Sequence, residues 1–203
     1  VLLCVPCLLA SCDHDVHDGE EEGGLSVSLT WADETDQGTE VNDVKLWIFD
    51  ADKSSRIEEK HYGSTEEVAS QRFELPEGTY RILTTTNLTE PFFISEQTRS
   101  LTNWNNIQIG LTNPKDVRNN AYFGVTDVKI DNKEGNYVVQ NPIRNVLAEL
   151  TIIIENIPKG TEMSGKALDC AWCLFPTLKN SDGDYGLPSI EPTEVELPTL
   201  LAT

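Results

Sequence analysis

Alternating apolar and polar residues, closely spaced turn signals and a shortage of helical periodicity mark this 203-residue chain as all-β, with antiparallel strands packed face to face. Leu25, Val27, Leu29 and Trp31 alternate with Ser26, Ser28 and Thr30, which is a strand with one wet face. Residues 44–49 (Val-Lys-Leu-Trp-Ile-Phe) are apolar on nearly both faces and predict a central strand. The cluster Asp50-Ala51-Asp52-Lys53-Ser54-Ser55 has turn chemistry, and residues 56–62 return from it as a polar edge strand. Arg72-Phe73-Glu74-Leu75 runs into Pro76-Glu77-Gly78, a tight turn, and residues 79–84 leave it as another strand. Residues 105–111, 121–130 and 136–140 read as three more. Residues 146–154 are the most apolar strand of all, with Val146, Ala148, Leu150, Ile152 and Ile154 on one face, and 167–175 is the next.

Helical signals are few. Ser64-Thr65-Glu66-Glu67 resembles a capping box with a short run behind it, and residues 95–101 have room for about two turns. No run is long enough to cross over between parallel strands, so the expectation is an antiparallel sandwich. A soft boundary falls near Asn141-Pro142. Residues 25–142 then form an N-terminal β-sandwich domain. Residues 143–203 are too few for a second complete one and predict a partial β domain, truncated or leaning on the first. The prolines at 188, 192 and 198 argue against that tail lying in the middle of a sheet.

Composition excludes some partners. Lys and Arg total 15 against 34 Asp and Glu, a formal charge of −19. Such a surface repels phosphate, which excludes nucleic acid, and it disfavours anionic lipid head groups. Apolar residues make up 38% of the chain, lean but sufficient for a core at this length without a disulfide or metal scaffold.

The chain opens Val1-Leu2-Leu3-Cys4-Val5-Pro6-Cys7-Leu8-Leu9-Ala10-Ser11-Cys12. This stretch is too short to span a bilayer, and it fits the apolar part of a secretory signal. Residues 1–11 are therefore read as a partial signal peptide. Leu9-Ala10-Ser11-Cys12 resembles the lipobox of bacterial lipoproteins, in which small residues enter the peptidase cleft and the thiol of Cys12 carries the lipid. Residues 12–24 are acidic, lack apolar periodicity and read as a tether. His14 and His17 flanked by Asp have metal-ligand chemistry, but a mobile acidic tail gives only unspecific affinity, so no metal site is expected.

The remaining candidates for chemistry are weak. Cys170-Ala171-Trp172-Cys173 has the spacing of a redox or zinc pair, yet on a strand its thiols face opposite ways. Asn180-Ser181-Asp182-Gly183-Asp184 superficially resembles a calcium loop but lacks its sixth-position glycine, and Asp-Gly reads better as a hairpin turn. Asp50 and Asp52 fail the same comparison. His61 stands alone on a polar strand. No catalytic triad, glycine-flanked nucleophile or phosphate-cradling loop is present, so no catalytic residue, cofactor or enzymatic activity is expected. Trp104, Trp172, Tyr122 and Tyr137 offer either core packing or an aromatic platform for sugar, which leaves a surface glycan-binding lipoprotein as the rival function.

These features converge. A lipobox Cys and acidic tether precede Leu25-Ser-Val-Ser-Leu-Thr-Trp31, then Val44-Lys-Leu-Trp-Ile-Phe-Asp50, then Phe73-Glu-Leu-Pro-Glu-Gly-Thr-Tyr80, then Asn145-Val-Leu-Ala-Glu-Leu-Thr-Ile-Ile-Ile154. That order resembles the FimB-type anchor subunits of type V fimbriae, lipoproteins of Bacteroides-like bacteria. The resemblance runs from Cys12 to about Phe175. It implies a transthyretin-like β-sandwich, in which Gly78 of the Leu-Pro-x-Gly-x-Tyr element would serve a turn conformation closed to other residues. It also implies an outer-membrane, surface-exposed lipoprotein that anchors or terminates a polymer of fimbrial shaft subunits by strand complementation. Residues 1–44 contain no Lys or Arg, so a protease cutting after basic residues finds no site that would release the first strand. That favours a membrane-retained anchor over a released shaft subunit. Val146, Leu150, Ile152 and Ile154 are the residues expected beside the strand-addition groove. Family members usually carry a full second sandwich, which is where this sequence departs.

Overall fold

The computed structural model describes residues 23–95, 103–112, 120–147, 152–189, 193–197 and 199–201. The strands are β1 (Gly24–Trp31), β2 (Val44–Asp50), β3 (Arg56–Tyr62), β4 (Gly78–Thr86), β5 (Phe92–Ser95), β6 (Gln108–Leu111), β7 (Tyr122–Ile130) and β8 (Asn136–Asn145). They continue as β9 (Glu162–Met163), β10 (Lys166–Cys170), β11 (Cys173–Lys179), β12 (Tyr185–Pro188), β13 (Thr193–Glu196) and β14 (Leu200–Leu201). One short helix, α1 (Thr65–Ala69), starts where the capping box places it. Ser64 Oγ accepts from the Glu67 N–H, and the Glu67 carboxylate accepts from the Gly63 N–H. The chain is all-β in character, as its alternation predicts.

A six-stranded sheet has the order β1-β8-β7-β4-β2-β3, and a four-stranded one has the order β12-β11-β6-β5. β10–β13 and β9–β14 form two small pairs. The polar strand β3 sits at a sheet edge, where Glu58, Glu59, Lys60 and His61 blunt it against further pairing. β12, which ends at Pro188, is also an edge strand, where the missing N–H costs nothing. Among the described residues, every ladder but one is antiparallel. β1 runs parallel to β8, from Gly24 opposite Asn136 to Trp31 opposite Ile143. The alternation in β1 specifies which face is buried and carries no information on the direction of a neighbour a hundred positions away.

The six-stranded sheet is not flat. In a flat sheet β1 and β2 would be roughly 19 Å apart, four strand spacings. Yet Leu25 and Val27 of β1 share one core with Val44, Leu46 and Ile48 of β2 and with Tyr80 and Ile82 of β4. The sheet therefore doubles over, and the fold lies between β7 and β8. Their ladder holds only at Tyr122–Asn145 and Phe123–Arg144. Beyond it, the fully buried Asn141 takes over: its Nδ2 donates to Thr84 Oγ1 at 3.0 Å and its Oδ1 accepts from Thr126 Oγ1 at 3.1 Å. Pro142 has no N–H to offer a ladder, and a Cβ on Gly124 would lie 2.6 Å from Asn141 Oδ1.

The result is three layers. The β1–β8 ribbon, with Val68 of α1 and with Phe73 and Leu75, covers one face of β2, β4 and β7. The four-stranded sheet and the short turn at Trp104–Asn106 cover the other, where Trp47, Phe49 and Leu83 meet Trp104, Ile107 and Tyr185. This is why β2 is apolar on both faces. The expected boundary at Asn141-Pro142 falls inside β8, and β11 pairs with β6 across it. Residues 167–175, expected as one strand, divide into β10 and β11, which belong to different sheets. Gly78 takes no positive φ. Its role is clearance: a Cβ there would lie 3.2 Å from the Tyr80 hydroxyl, which donates to the Pro76 carbonyl at 2.6 Å.

Candidate strand-docking site

Of the residues expected at a groove, Val146 and Ile152 and Ile154 are described, and Leu150 lies outside the described residues, as do Cys12 and the whole lipidated segment. Val146 continues out of β8, its N–H donating to the Ala121 carbonyl at 2.8 Å. Leu147 follows, its N–H bonded to Asn145 Oδ1 at 2.9 Å. Both pack beside Phe92, Ile109, Ala121 and Phe123. They form one wall of a small apolar groove of about 70 Å³, closed on the other side by Leu111, Trp172, Leu174 and Pro188.

The strand expected over 146–154 is absent at both of its described ends. Residues 146–147 bend, and 152–155 have no ladder. Ile152, Ile153 and Ile154 are 55%, 79% and 60% exposed. The apolar alternation predicts a buried strand here, but Ile152, Ile153 and Ile154 stand exposed and, among the described residues, no neighbouring strand pairs with them. Three consecutive β-branched side chains in water are unusual, and such runs mark interaction sites. Leu168 and Leu200 are also exposed. Sequence reasoning missed Leu111, Leu174 and Pro188 as groove walls, because β6 and β11 meet only through a non-local pairing.

The other candidates resolve into structure. Trp104 is 2% exposed, wedged edge-on against Phe49 at 5.3 Å and Tyr185 at 5.8 Å, with the Arg81 guanidinium over its ring at 5.5 Å. Tyr122 is fully buried against Trp31. An aromatic platform for sugar therefore loses both, and Tyr137 spends its hydroxyl accepting from the Asp131 and Asn132 N–H groups. Asp127 gathers the polar groups around Tyr185: it accepts from the Tyr185 hydroxyl at 2.9 Å and pairs with Arg81 at 3.3 Å and Lys179 at 3.7 Å. Burial, then the hydrogen bond to Asp127, pushes the Tyr185 phenol above its ordinary pKa. This cluster fastens β12 to the central sheet.

Cys170 closes β10 and Cys173 opens β11, and both thiols are free. Asn180 Oδ1 accepts from the Asp182 and Asp184 N–H groups, which makes that segment the β11–β12 hairpin turn. His61 sits on exposed β3 against Asp43. Among the described residues, no group of three or more His, Cys, Asp and Glu side chains is placed to hold a metal ion. What the arrangement offers, among the described residues, is exposed apolar surface.

No curated protein sequence matches the chain. Among solved structures, it resembles the fimbrial anchor protein Mfa2 from Porphyromonas gingivalis with a TM-score of 0.56 and 12% identity, over 89% of this chain and 73% of that one. A candidate adhesin from Bacteroides thetaiotaomicron matches with a TM-score of 0.54 and 12% identity, over 90% of this chain and 71% of that one. A candidate polysaccharide-binding protein from the same organism matches with a TM-score of 0.49 and 15% identity. That match covers 61% of this chain and 48% of the other, so the chain spans about half that relative's length. At these identities the first two structures show a shared fold. The family model for fimbrillin-A associated anchor proteins Mfa1 and Mfa2 matches residues 12–182, and the chain belongs to that family.

Proposed function

We propose that the protein is an outer-membrane lipoprotein, held by a lipid on Cys12, that anchors or terminates a fimbrial polymer at the cell surface by strand addition. Family membership over residues 12–182 supports a fimbrial role, and the exposed run Ile152-Ile153-Ile154 is the observation that supports this binding mode. A shaft subunit's strand would complete the segment at 146–154. Main-chain hydrogen bonds would supply affinity and alternate side-chain pockets selectivity. The work is gripping rather than catalysis. Residues 25–142 are proposed as the N-terminal β domain and residues 143–203 as a partial one that leans on it through the β6–β11 pairing.

The basic-residue pattern supports retention. β1 buries Leu25 and Val27 completely, and no Lys or Arg occurs from residue 1 to 44. The connection from Ala32 to Asp43 thus contains no site for a protease that cuts after basic residues, so β1 and the lipid stay together.

Cys12→Ala tests the anchor. The variant is expected in the soluble fraction with its fimbriae shed. A variant that still pellets with the outer membrane contradicts lipidation at Cys12. Deleting the gene should shed or lengthen fimbriae, and unchanged fibres contradict anchoring.

A further inference from the structure

β1 has a second unpaired feature, distinct from the 146–154 segment. In a parallel ladder, alternate residues direct their N–H and C=O groups to opposite sides. The N–H groups of Gly24 and Ala32 go to Gly135 and Ile143 on the β8 side. Leu25 exchanges both of its main-chain bonds with Phe73 on the other side. The register from 24 to 31 is unbroken, so Val27, Leu29 and Trp31 also point away from β8. The segment leading to Phe73 covers the start of this edge, where Ser26 Oγ donates to the Gln71 carbonyl. The end of the edge is open. Leu29 and Trp31 meet no main-chain partner there among the described residues.

That open end borders a cavity of about 350 Å³. Its apolar floor is Leu29, Trp31, Val41 and Ile143. Its walls are built: Trp31 stacks edge-on to Tyr122 at 4.9 Å, and the Tyr122 hydroxyl reaches Asp36 Oδ1 at 3.3 Å and Thr39 Oγ1 at 3.4 Å, which holds the loop over the ring. Glu40 and Glu66 stand at the lining. The Glu66 carboxyl is held below its ordinary pKa by its own N–H and by the Ser64 and Thr65 hydroxyls, so it is charged at neutral pH. The loop itself carries Asp33, Glu34, Asp36, Glu40 and Asp43 and no Lys or Arg. Asp43 is paired with Lys45 and His61, whereas Glu40 and Glu66 have no cation among the described residues.

We propose that the open end of β1 and this acidic cavity form a docking site for an extended peptide segment of a partner protein that carries a Lys or Arg side chain. The segment would add to the Leu29–Trp31 edge. Its basic side chain would lay its methylenes on Leu29, Trp31 and Val41 and set its charge between Glu40 and Glu66. Free main-chain groups select a peptide over a saccharide, and two uncompensated carboxylates select a cation.

The test uses the full chain and labelled short peptides of alternating Val and Thr with one central Lys, the same peptide with Glu, and the Lys peptide N-methylated at alternate residues. Fluorescence anisotropy gives binding, and hydrogen exchange locates it. The Lys peptide is expected to bind about 10-fold or more tightly than the Glu peptide, to weaken with added salt, and to slow exchange at Leu29 and Trp31. N-methylation should abolish binding. Glu40→Gln with Glu66→Gln, both exposed, should erase the difference between Lys and Glu peptides while leaving the unfolding curve in place. Equal binding of the two peptides overturns the proposal, as does protection elsewhere on the chain or the absence of saturable binding. Protection of the same amides by maltoheptaose, or by self-association seen in sedimentation, assigns the site to another occupant and also overturns it.

Discussion

Asn141 is the best place to perturb the sheet that makes this fold. Its side chain is 0% exposed and bridges Thr84 on β4 to Thr126 on β7, where the β7–β8 ladder has ended. Replacing it with Ala removes both bonds and leaves a void. Thr126 keeps a second acceptor, the Gln140 carbonyl at 3.3 Å, but Thr84 is itself 0% exposed and is left with an unsatisfied hydroxyl. An orphaned buried polar group costs about 1–3 kcal/mol, and the lost packing adds to it, so Asn141→Ala should destabilise by about 3 kcal/mol. For a chain of this size that is a fall in Tm of roughly 6–12 °C. Thr84→Val removes the hydroxyl while keeping the shape. In the double variant no orphan remains, so its cost should be less than the sum of the two by about 1 kcal/mol. Urea unfolding of the four proteins, with m unchanged, measures the cycle. A cost for Asn141→Ala below about 1 kcal/mol, or strict additivity, would refute the claim that this amide holds the doubled sheet at its seam.

Gly124→Ala should destabilise by about 2 kcal/mol or more, because the added Cβ meets Asn141 Oδ1 at 2.6 Å and the Pro142 carbonyl oxygen at 2.8 Å; thermal unfolding measures it, and a neutral result would mean β8 can move aside. Tyr80→Phe deletes the 2.6 Å bond to the Pro76 carbonyl and should cost about 1 kcal/mol in urea unfolding without changing the fold. Stability should fall in alkali. The Tyr185 phenol is pushed up in the folded state, so its contribution is full below the unfolded value of about 10 and is lost as pH rises through the folded value. Tyr185→Phe should flatten part of that fall, leaving the share of Tyr62 and Tyr80, which burial also pushes up. An unchanged alkaline slope would contradict the role given to the Asp127 cluster.

Local chemistry was legible wherever it was short-range. The alternation of β1, the two-faced apolarity of β2, the polar edge β3 and the capping box at Ser64 all follow from neighbours within a few positions. The doubling of the sheet was not legible, because it depends on Asn141 finding Thr84 and Thr126 across long separations. The parallel direction of β1 and the β6–β11 pairing are non-local in the same way. The Leu-Pro-x-Gly-x-Tyr element was recognised, but for a reason the backbone corrects: Gly78 makes room for Tyr80 rather than adopting a left-handed turn. At the candidate site, the apolarity of 146–154 was legible, but the strand it predicts does not form at its described ends, where Ile152, Ile153 and Ile154 are exposed. The burial of Trp104 and Tyr122 assigns these two rings to the core, which aromatic content alone left open.

The most direct measurement replaces the exposed isoleucines while leaving the body and residues 1–24 intact. In cells carrying Ile152→Asp with Ile154→Asp, shaft protein is measured in the culture medium against the cell-bound fraction. Both side chains are more than half exposed, at 55% and 60%, so the variant should fold and stay with the membrane. The account predicts that fimbriae move into the medium while the variant itself remains cell-bound. Fimbriae retained on the cells at the level of the unmodified protein would contradict it.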